Sequence, residues 1–453
     1  METPPHSRPA PTVVGYAPRL GLFSGTMLVV GGIIGAGIFL SPAIVAQRVG
    51  SASLTLGAWG LGAVIAIIGG FVYAELGARR PQAGGTYVYL REAWGPLPAF
   101  LYGWALFLIM ATGAIAAVAM TGASYVVALL GWPVGAATPV AIGCIVLLTL
   151  LNMVGVQVGA MAGNILTVLK LAAIASLIGC GLWLAPLAGG LPAAATPPAL
   201  HPPVGLLATV TTMGAALVPV LFSYGGWQQT NAVAEELRDA ARQLPRALVG
   251  GVLLVVATYL LVNTAYLRAL GVAGLAASST PAADTMAVYL GPLGRTVISV
   301  GIVASTIGFL GMVILLSARV YQAMAADGLF FGSMARLHPR TRTPIAALAG
   351  QGIVALVLLL TRSYGQLLDY VVFADWIFFG LTAASLFAIR AQDRRTGHTV
   401  TVRAPGHPVT TLLFVAAAAY VVLGSVVSNP ANALRGALLL ALGVPVYAYW
   451  RRR

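Results

Sequence analysis

The chain has 453 residues, of which 59% are hydrophobic and 8% charged, with a mean hydropathy of +0.92. Soluble domains carry about 25% charged residues, so this composition cannot cover a surface in water and needs lipid as part of its solvent. The net charge of +14 points to membrane topology and not to a nucleic acid partner, because the basic residues fall between long apolar runs.

Residues 1–20 are polar and Pro-rich and are expected to form a cytoplasmic tail. The apolar run that follows is too long for a signal peptide and continues through Ser41-Pro42, so it reads as a retained span. Crossing the hydrocarbon core takes about 20 apolar residues. Segments of that kind are Leu22–Ala46, Leu54–Gly77, Leu97–Leu130, Pro139–Val156, Ala160–Leu184 and Leu206–Asn231 in the first half. Ala247–Leu270, Leu293–Met324, Pro344–Thr361, Leu367–Ile389, Thr410–Val427 and Ala431–Tyr449 make up the second, which brings the total to twelve. At membrane depth every backbone polar group must be satisfied internally, so these are helices. The fold class is all-α integral membrane with about twelve transmembrane helices.

Span 1 contains Gly31-Gly32-Ile33-Ile34-Gly35-Ala36-Gly37, with Pro42 beyond it. Each glycine weakens a helix interior by about 1 kcal/mol relative to alanine, and the proline removes a donor. Span 6 carries Pro219 and then Phe222-Ser223-Tyr224-Gly225-Gly226-Trp227. Both spans are expected to unwind in mid-membrane. They occupy matching places if residues 21–200 and 201–395 each form a five-helix repeat, the second inverted because the count per repeat is odd; residues 396–453 then add helices 11 and 12. Interrupted segments at matching positions of two halves point to a transporter site. The start of a resumed half-helix offers N–H groups to a carboxylate, and the end of the preceding half offers carbonyls to an ammonium group. Two such breaks side by side suit the backbone of a zwitterionic amino acid.

Between the two breaks, span 5 holds Lys170, the only lysine in the chain. A mid-membrane charge costs at least about 2.5–3.5 kcal/mol and faces the bundle interior or a wet cavity. As a cation it could bond the exposed carbonyls of span 1 in place of a sodium ion, and as a lysine it can also lose its proton when buried. Further along, Glu235 and Glu236 are expected to pair with loop arginines, while Asp369 and Asp375 are expected to cap or flank the outer start of span 10. Cys144 and Cys180 lie inside spans, and no histidine sits in mid-span, so no disulfide framework, metal site or cofactor is indicated.

Orientation follows from arginine. With a cytoplasmic N-terminus, nineteen arginines fall on inside segments, and only Arg48, Arg268, Arg295, Arg362 and Arg435 fall outside. This places both termini in the cytoplasm of a multi-pass protein of the cytoplasmic membrane.

These residues resemble the amino acid–polyamine–organocation superfamily, and within it the bacterial relatives of the L-type amino acid transporters. The likeness rests on Gly31–Pro42, Phe222–Leu237 with Gln243–Ala247, Ser317–Phe330, Arg336–Leu348 and Phe373–Phe387. It spans nearly the whole chain. It implies the LeuT-type five-plus-five inverted repeat with discontinuous helices 1 and 6 and two C-terminal helices. It further implies a substrate site at Ile33, Ile34, Gly35, Ala36, Gly37, Phe222, Ser223, Tyr224, Gly225 and Trp227. There the carboxylate meets N–H groups of Ile34 to Gly37, the amine meets carbonyls of the helix 1 break and of Phe222-Ser223, and Phe222 closes over the substrate. Lys170 stands in for a sodium site, which implies sodium-independent transport. Ala36 stands where many relatives have serine, and Ile307–Gly311 lacks the polar residues of animal relatives.

The resulting expectation is a secondary transporter of neutral amino acids working by alternating access, with exchange favoured. Proton-coupled symport is the first alternative. A polyamine or amine carrier is disfavoured because the central spans offer almost no acidic residues, and a membrane enzyme because no nucleophile–base set appears. Partners are the amino acid and lipid, and no obligatory accessory chain is expected.

Overall fold

The computed structural model describes residues 20–82, 84–154, 156–184, 200, 202–361 and 364–451, with the side chains of 156–164, 233, 235–236, 364–370 and 428 outside that description. The expected tail and the side chains of Glu235, Glu236 and Asp369 therefore lie outside the described residues. Among the described residues, eleven helices are long and apolar enough to cross a membrane, and a shorter apolar helix, Ile345–Thr361, accompanies them. No strand occurs among the described residues, and the sole bridge joins Leu20 to Leu237.

Span 1 is two helices, α1 (Leu22–Ile33) and α2 (Gly37–Val49). It is followed by α3 (Ala52–Arg79), a short α4 (Thr86–Trp94), and a third span made of α5 (Pro96–Ala105), a π segment at Leu106–Met110 and α6 (Ala111–Leu130). The first half closes with α7 (Ala137–Val154) and α8 (Val156–Trp183). The second half begins with α9 (Leu206–Tyr224), which gives way to a 3₁₀ stretch at Trp227–Glu236. Then come α10 (Ala240–Ala277), α11 (Pro281–Ala326), α12 (Ile345–Thr361), α13 (Tyr364–Thr396), α14 (Val409–Ser428) and α15 (Pro430–Arg451).

Three features depart from the expected spans. The third span is interrupted by the π segment, a feature with no mark in an apolar run such as Leu106-Phe107-Leu108-Ile109-Met110; the Tyr321 hydroxyl donates to the Leu106 carbonyl at 3.2 Å. Second, α10 and α11 overrun the bilayer length and bend at Gly271 and Gly291, whose φ values of 65° and 59° are left-handed. Third, the continuation of span 6 to Asn231 is 3₁₀ and not α.

The described core falls into two large apolar clusters. One gathers Val29, Ile33, Trp59, Tyr73, Leu221, Tyr224, Tyr259 and Tyr266, from α1, α3, α9 and α10. The other gathers Tyr102, Phe107, Ile115, Phe309, Leu310 and Tyr321, from α5, α6, α11 and the π segment. Around them α7 is strongly apolar yet only 22% buried over its most apolar window. Leu147, Leu150 and Leu151 are each more than half exposed there. A solvent-facing band of leucine on that scale is a lipid-facing surface.

Candidate functional site

The two helix breaks meet in the middle of the molecule. The last turn of α1 ends with the Ile34 N–H donating to Val30 O at 2.9 Å and the Gly35 N–H to Ile33 O at 2.8 Å. The chain then passes through Ala36 and re-enters helix at Gly37, and this helix start has no side-chain cap. No backbone acceptor among the described residues takes the N–H groups of Ala36, Gly37 or Ile38. Of the four N–H groups expected to face a carboxylate, Ile34 and Gly35 are thus engaged within the break, while Ala36 and Gly37 are open and Ile38 joins them. A helix N-terminus with open donors is an anion site.

In span 6 the helix ends at Tyr224, and Gly226 takes φ 113°, ψ −21°. The Gly226 N–H is capped by Gln228 Oε1 at 2.9 Å. A Cβ on Gly226 would stand 2.0 Å from Gly32 O, and one on Gly37 would stand 2.5 Å from Ser223 Oγ. Glycine at these two positions is what lets the breaks touch backbone to backbone.

Lys170 and Tyr259 hold this pair together. Lys170, 1% exposed, donates from Nζ to Ile34 O at 2.5 Å and to Gly31 O at 3.3 Å, and Ser305 Oγ donates to the same Ile34 carbonyl at 3.4 Å. The ammonium group therefore sits on the carbonyls that the end of α1 leaves without helical partners. Tyr259, fully buried on α10, lies with its hydroxyl 3.2 Å from Ile33 O and 3.1 Å from Ser223 O. One phenol proton is shared between the two broken helices; the Ser223 carbonyl keeps a second lone pair, while the Ile33 carbonyl also accepts the Gly35 N–H. One helical stripe further, the Tyr266 hydroxyl donates to Ile38 O at 3.3 Å. Sequence reasoning missed both tyrosines. Their only signal is the seven-residue spacing that puts them on one face of α10.

A cavity with about 80 Å³ of water-accessible space opens beside the breaks. A water needs about 10–15 Å³ on this measure, so the space holds several waters or a small zwitterion. Ile33, Gly35, Ala36, Gly37, Phe222 and Gly225 line it. The other expected residues do not. Ile34 turns its carbonyl to Lys170, Ser223 Oγ donates back to Pro219 O, Tyr224 packs edge-on against Trp59, and Trp227 packs against Tyr73 and Phe379. Phe309 lines the cavity as well and lies 3.1 Å from where a Gly35 Cβ would be, so an aromatic ring occupies the stretch of α11 noted above as lacking polar residues. Asp375 also lines it. The expected capping or interfacial place for Asp375 is thereby corrected: an outer-end position along the helix said nothing about which way that part of α13 faces.

The cavity sits on the seam between the two apolar clusters. Ile33, Leu221, Trp376 and Phe379 come from one, and Ala36, Tyr102, Met110 and Phe309 from the other. Gly84, Gln229 and Ala232 extend its lining along the 3₁₀ half of span 6.

Comparison with known proteins follows this geometry. The family model described as amino acid permease matches residues 20–444. The chain is 30% identical over 444 residues to the serine/threonine exchanger SteT of Bacillus subtilis (strain 168), covering 97% of this chain and 98% of that protein. It is 31% identical over 456 residues to the large neutral amino acids transporter small subunit 2 of Homo sapiens, covering 97% and 82% respectively. It is also 30% identical over 426 residues to the human b(0,+)-type amino acid transporter 1, covering 93% and 85%. With its multi-pass helical fold and a family match over nearly its full length, the chain belongs to the amino acid permease family.

Proposed function

We propose that this protein exchanges amino acids across the cytoplasmic membrane by alternating access, without sodium, with both termini in the cytoplasm. The observation that carries the reading is the meeting of two helix breaks, which presents the open N–H groups of Ala36, Gly37 and Ile38 beside carbonyls at the end of α1 and of α9. That pairing is complementary to an α-carboxylate and an α-ammonium group. Lys170 on the Gly31 and Ile34 carbonyls supports sodium independence, because a fixed ammonium fills the role of a bound cation. Residues 21–200 and 201–395 act as the two inverted repeats, and the seam between the two apolar clusters is where rigid bodies move past one another. Exchange has further support from the serine/threonine exchanger among the relatives.

The protein works as a single chain. One relative is named a small subunit, but both cysteines of this chain are free and half-buried within helices, which offers no covalent attachment for a second chain.

The test is reconstitution into liposomes loaded with unlabelled amino acids, followed by uptake of labelled amino acids in sodium-free buffer. Uptake that requires internal amino acid and ignores a proton gradient is the expected result. Uptake into empty liposomes driven by an inward proton gradient would replace exchange with symport, the reading that a titrating Lys170 favours. Sodium-dependent uptake would remove the role given to Lys170.

A further inference from the structure

We propose that Asp375 reads the substrate side chain, so that the protein prefers amino acids whose side chains donate hydrogen bonds over apolar ones of the same shape. This rests on the amino acid reading above. Asp375 lines the central cavity together with the breaks, among Val371, Val372, Trp376, Phe379 and Phe309. Among the described residues, no lysine, arginine or histidine lines that cavity. Among the described residues Asp375 has no hydrogen-bond or ion-pair partner.

This is exceptional by the molecule's own standard. Glu75 is fully buried and Asp393 is 3% exposed, and both are saturated. Glu75 accepts from Arg79, from Arg390 and from the Ala404 N–H, and Asp393 accepts from Arg79 and Arg80. A carboxylate in apolar surroundings is costly unless a donor meets it, and Asp375 brings two acceptor oxygens that no hydrogen bond among the described residues fills, with the Tyr102 phenol lining the same cavity. The charges on the amino acid backbone are met elsewhere, the carboxylate by the α2 N-terminus and the ammonium by the carbonyl ends. What remains for Asp375 is the side chain. A hydroxyl satisfies it, and an ammonium or guanidinium satisfies it more strongly through charge. The central cavity does hold a carboxylate, so the ground on which cationic substrates are disfavoured from sequence is corrected.

The experiment uses the full chain in liposomes and compares isosteric pairs: labelled threonine against valine, and lysine against 2-aminoheptanoic acid. The expected result is an uptake efficiency at least about tenfold higher for the donor-bearing member of a pair, with the ratio collapsing towards one in Asp375→Ala. Asp375→Asn, which keeps the shape and one acceptor, should retain the threonine preference and lose the lysine preference; it also serves as the readable variant if the alanine protein does not fold. A preference in either pair that Asp375→Ala erases supports the proposal. Equal uptake within both pairs in the natural protein, or ratios unchanged in Asp375→Ala, would overturn it and leave amino acid exchange standing. Absence of uptake for all four would overturn the exchange reading and this one together.

Discussion

The cavity at the helix breaks and the charged end of the helix bundle use opposite electrostatics. At the end of α3, Glu75 binds Arg79 at 2.7 Å and Arg390 at 2.5 Å. Asp393 pairs with Arg79 and, at 2.8 Å, with Arg80, which also holds Glu92 at 2.5 Å. Charges from α3, α4 and α13 are tied into one network with its acceptors filled. At the cavity, by contrast, the single lysine rests on carbonyls, and among the described residues three N–H groups, the Asp375 carboxylate, Thr86 Oγ1 and Gln229 Oε1 stay open. The carboxylates are satisfied where the bundle is tied together, and the one in the cavity is left open where, on the proposed function, a substrate would supply the missing partner. Such openness is tolerated because it lines a cavity and not lipid.

That contrast breaks most severely where the two backbones touch. Gly226→Ala puts a methyl group on Gly32 O at 2.0 Å, at a backbone φ of 113°, and is expected to abolish transport; retained flux would show that the breaks are not held in contact. Lys170→Ala should lower exchange by about tenfold or more while membrane expression stays near normal, since the Gly31 and Ile34 carbonyls each lose a donor worth about 1–3 kcal/mol. Near-normal flux would remove Lys170 from the mechanism. In the filled region, Glu75→Gln takes from Arg390 its ion pair and leaves Arg79 with Asp393 alone, and should cost about 2–3 kcal/mol of stability. It would be seen as earlier melting in detergent with substrate affinity preserved; a loss of affinity without earlier melting would mean that the network belongs to the site.

Tyr259→Phe removes one hydroxyl shared by Ile33 O and Ser223 O. A several-fold drop in exchange rate with normal expression is expected, on the order of the 1 kcal/mol that one hydrogen bond contributes. The smallest effect belongs to Arg91→Ala. Its pair with Asp327 is 43% and 32% exposed, so solvent screening holds it below about 1 kcal/mol and flux should stay within about twofold of normal. A larger loss would show that the pair takes part in gating.

Much of this was legible from residues alone. The spans are visible because a stretch of about 20 apolar residues has few other uses. The breaks are visible because Gly31 to Gly37 and Pro219 to Gly226 concentrate the residues that helices tolerate least. Lys170 stands out because a lone cation at mid-span is expensive. Less legible were Trp227 and Tyr224, which belong to the right motif but pack into the core. Asp375, Phe309 and Tyr259 sit in spans that read as ordinary, and the π segment next to the cavity leaves no trace in composition.

The sequence by itself determined which segments span and where helices must yield, because burial in lipid and backbone propensity are local properties of a segment. Only the tertiary structure decided which way each helix is turned. In a soluble helix the boundary between water and core marks the inner face, but lipid is as apolar as the protein interior, so that boundary is faint in a membrane helix. The rotation that aims Asp375 at the cavity, sets Tyr259 across both breaks and turns Trp227 away from the site is fixed by packing between helices distant in the chain.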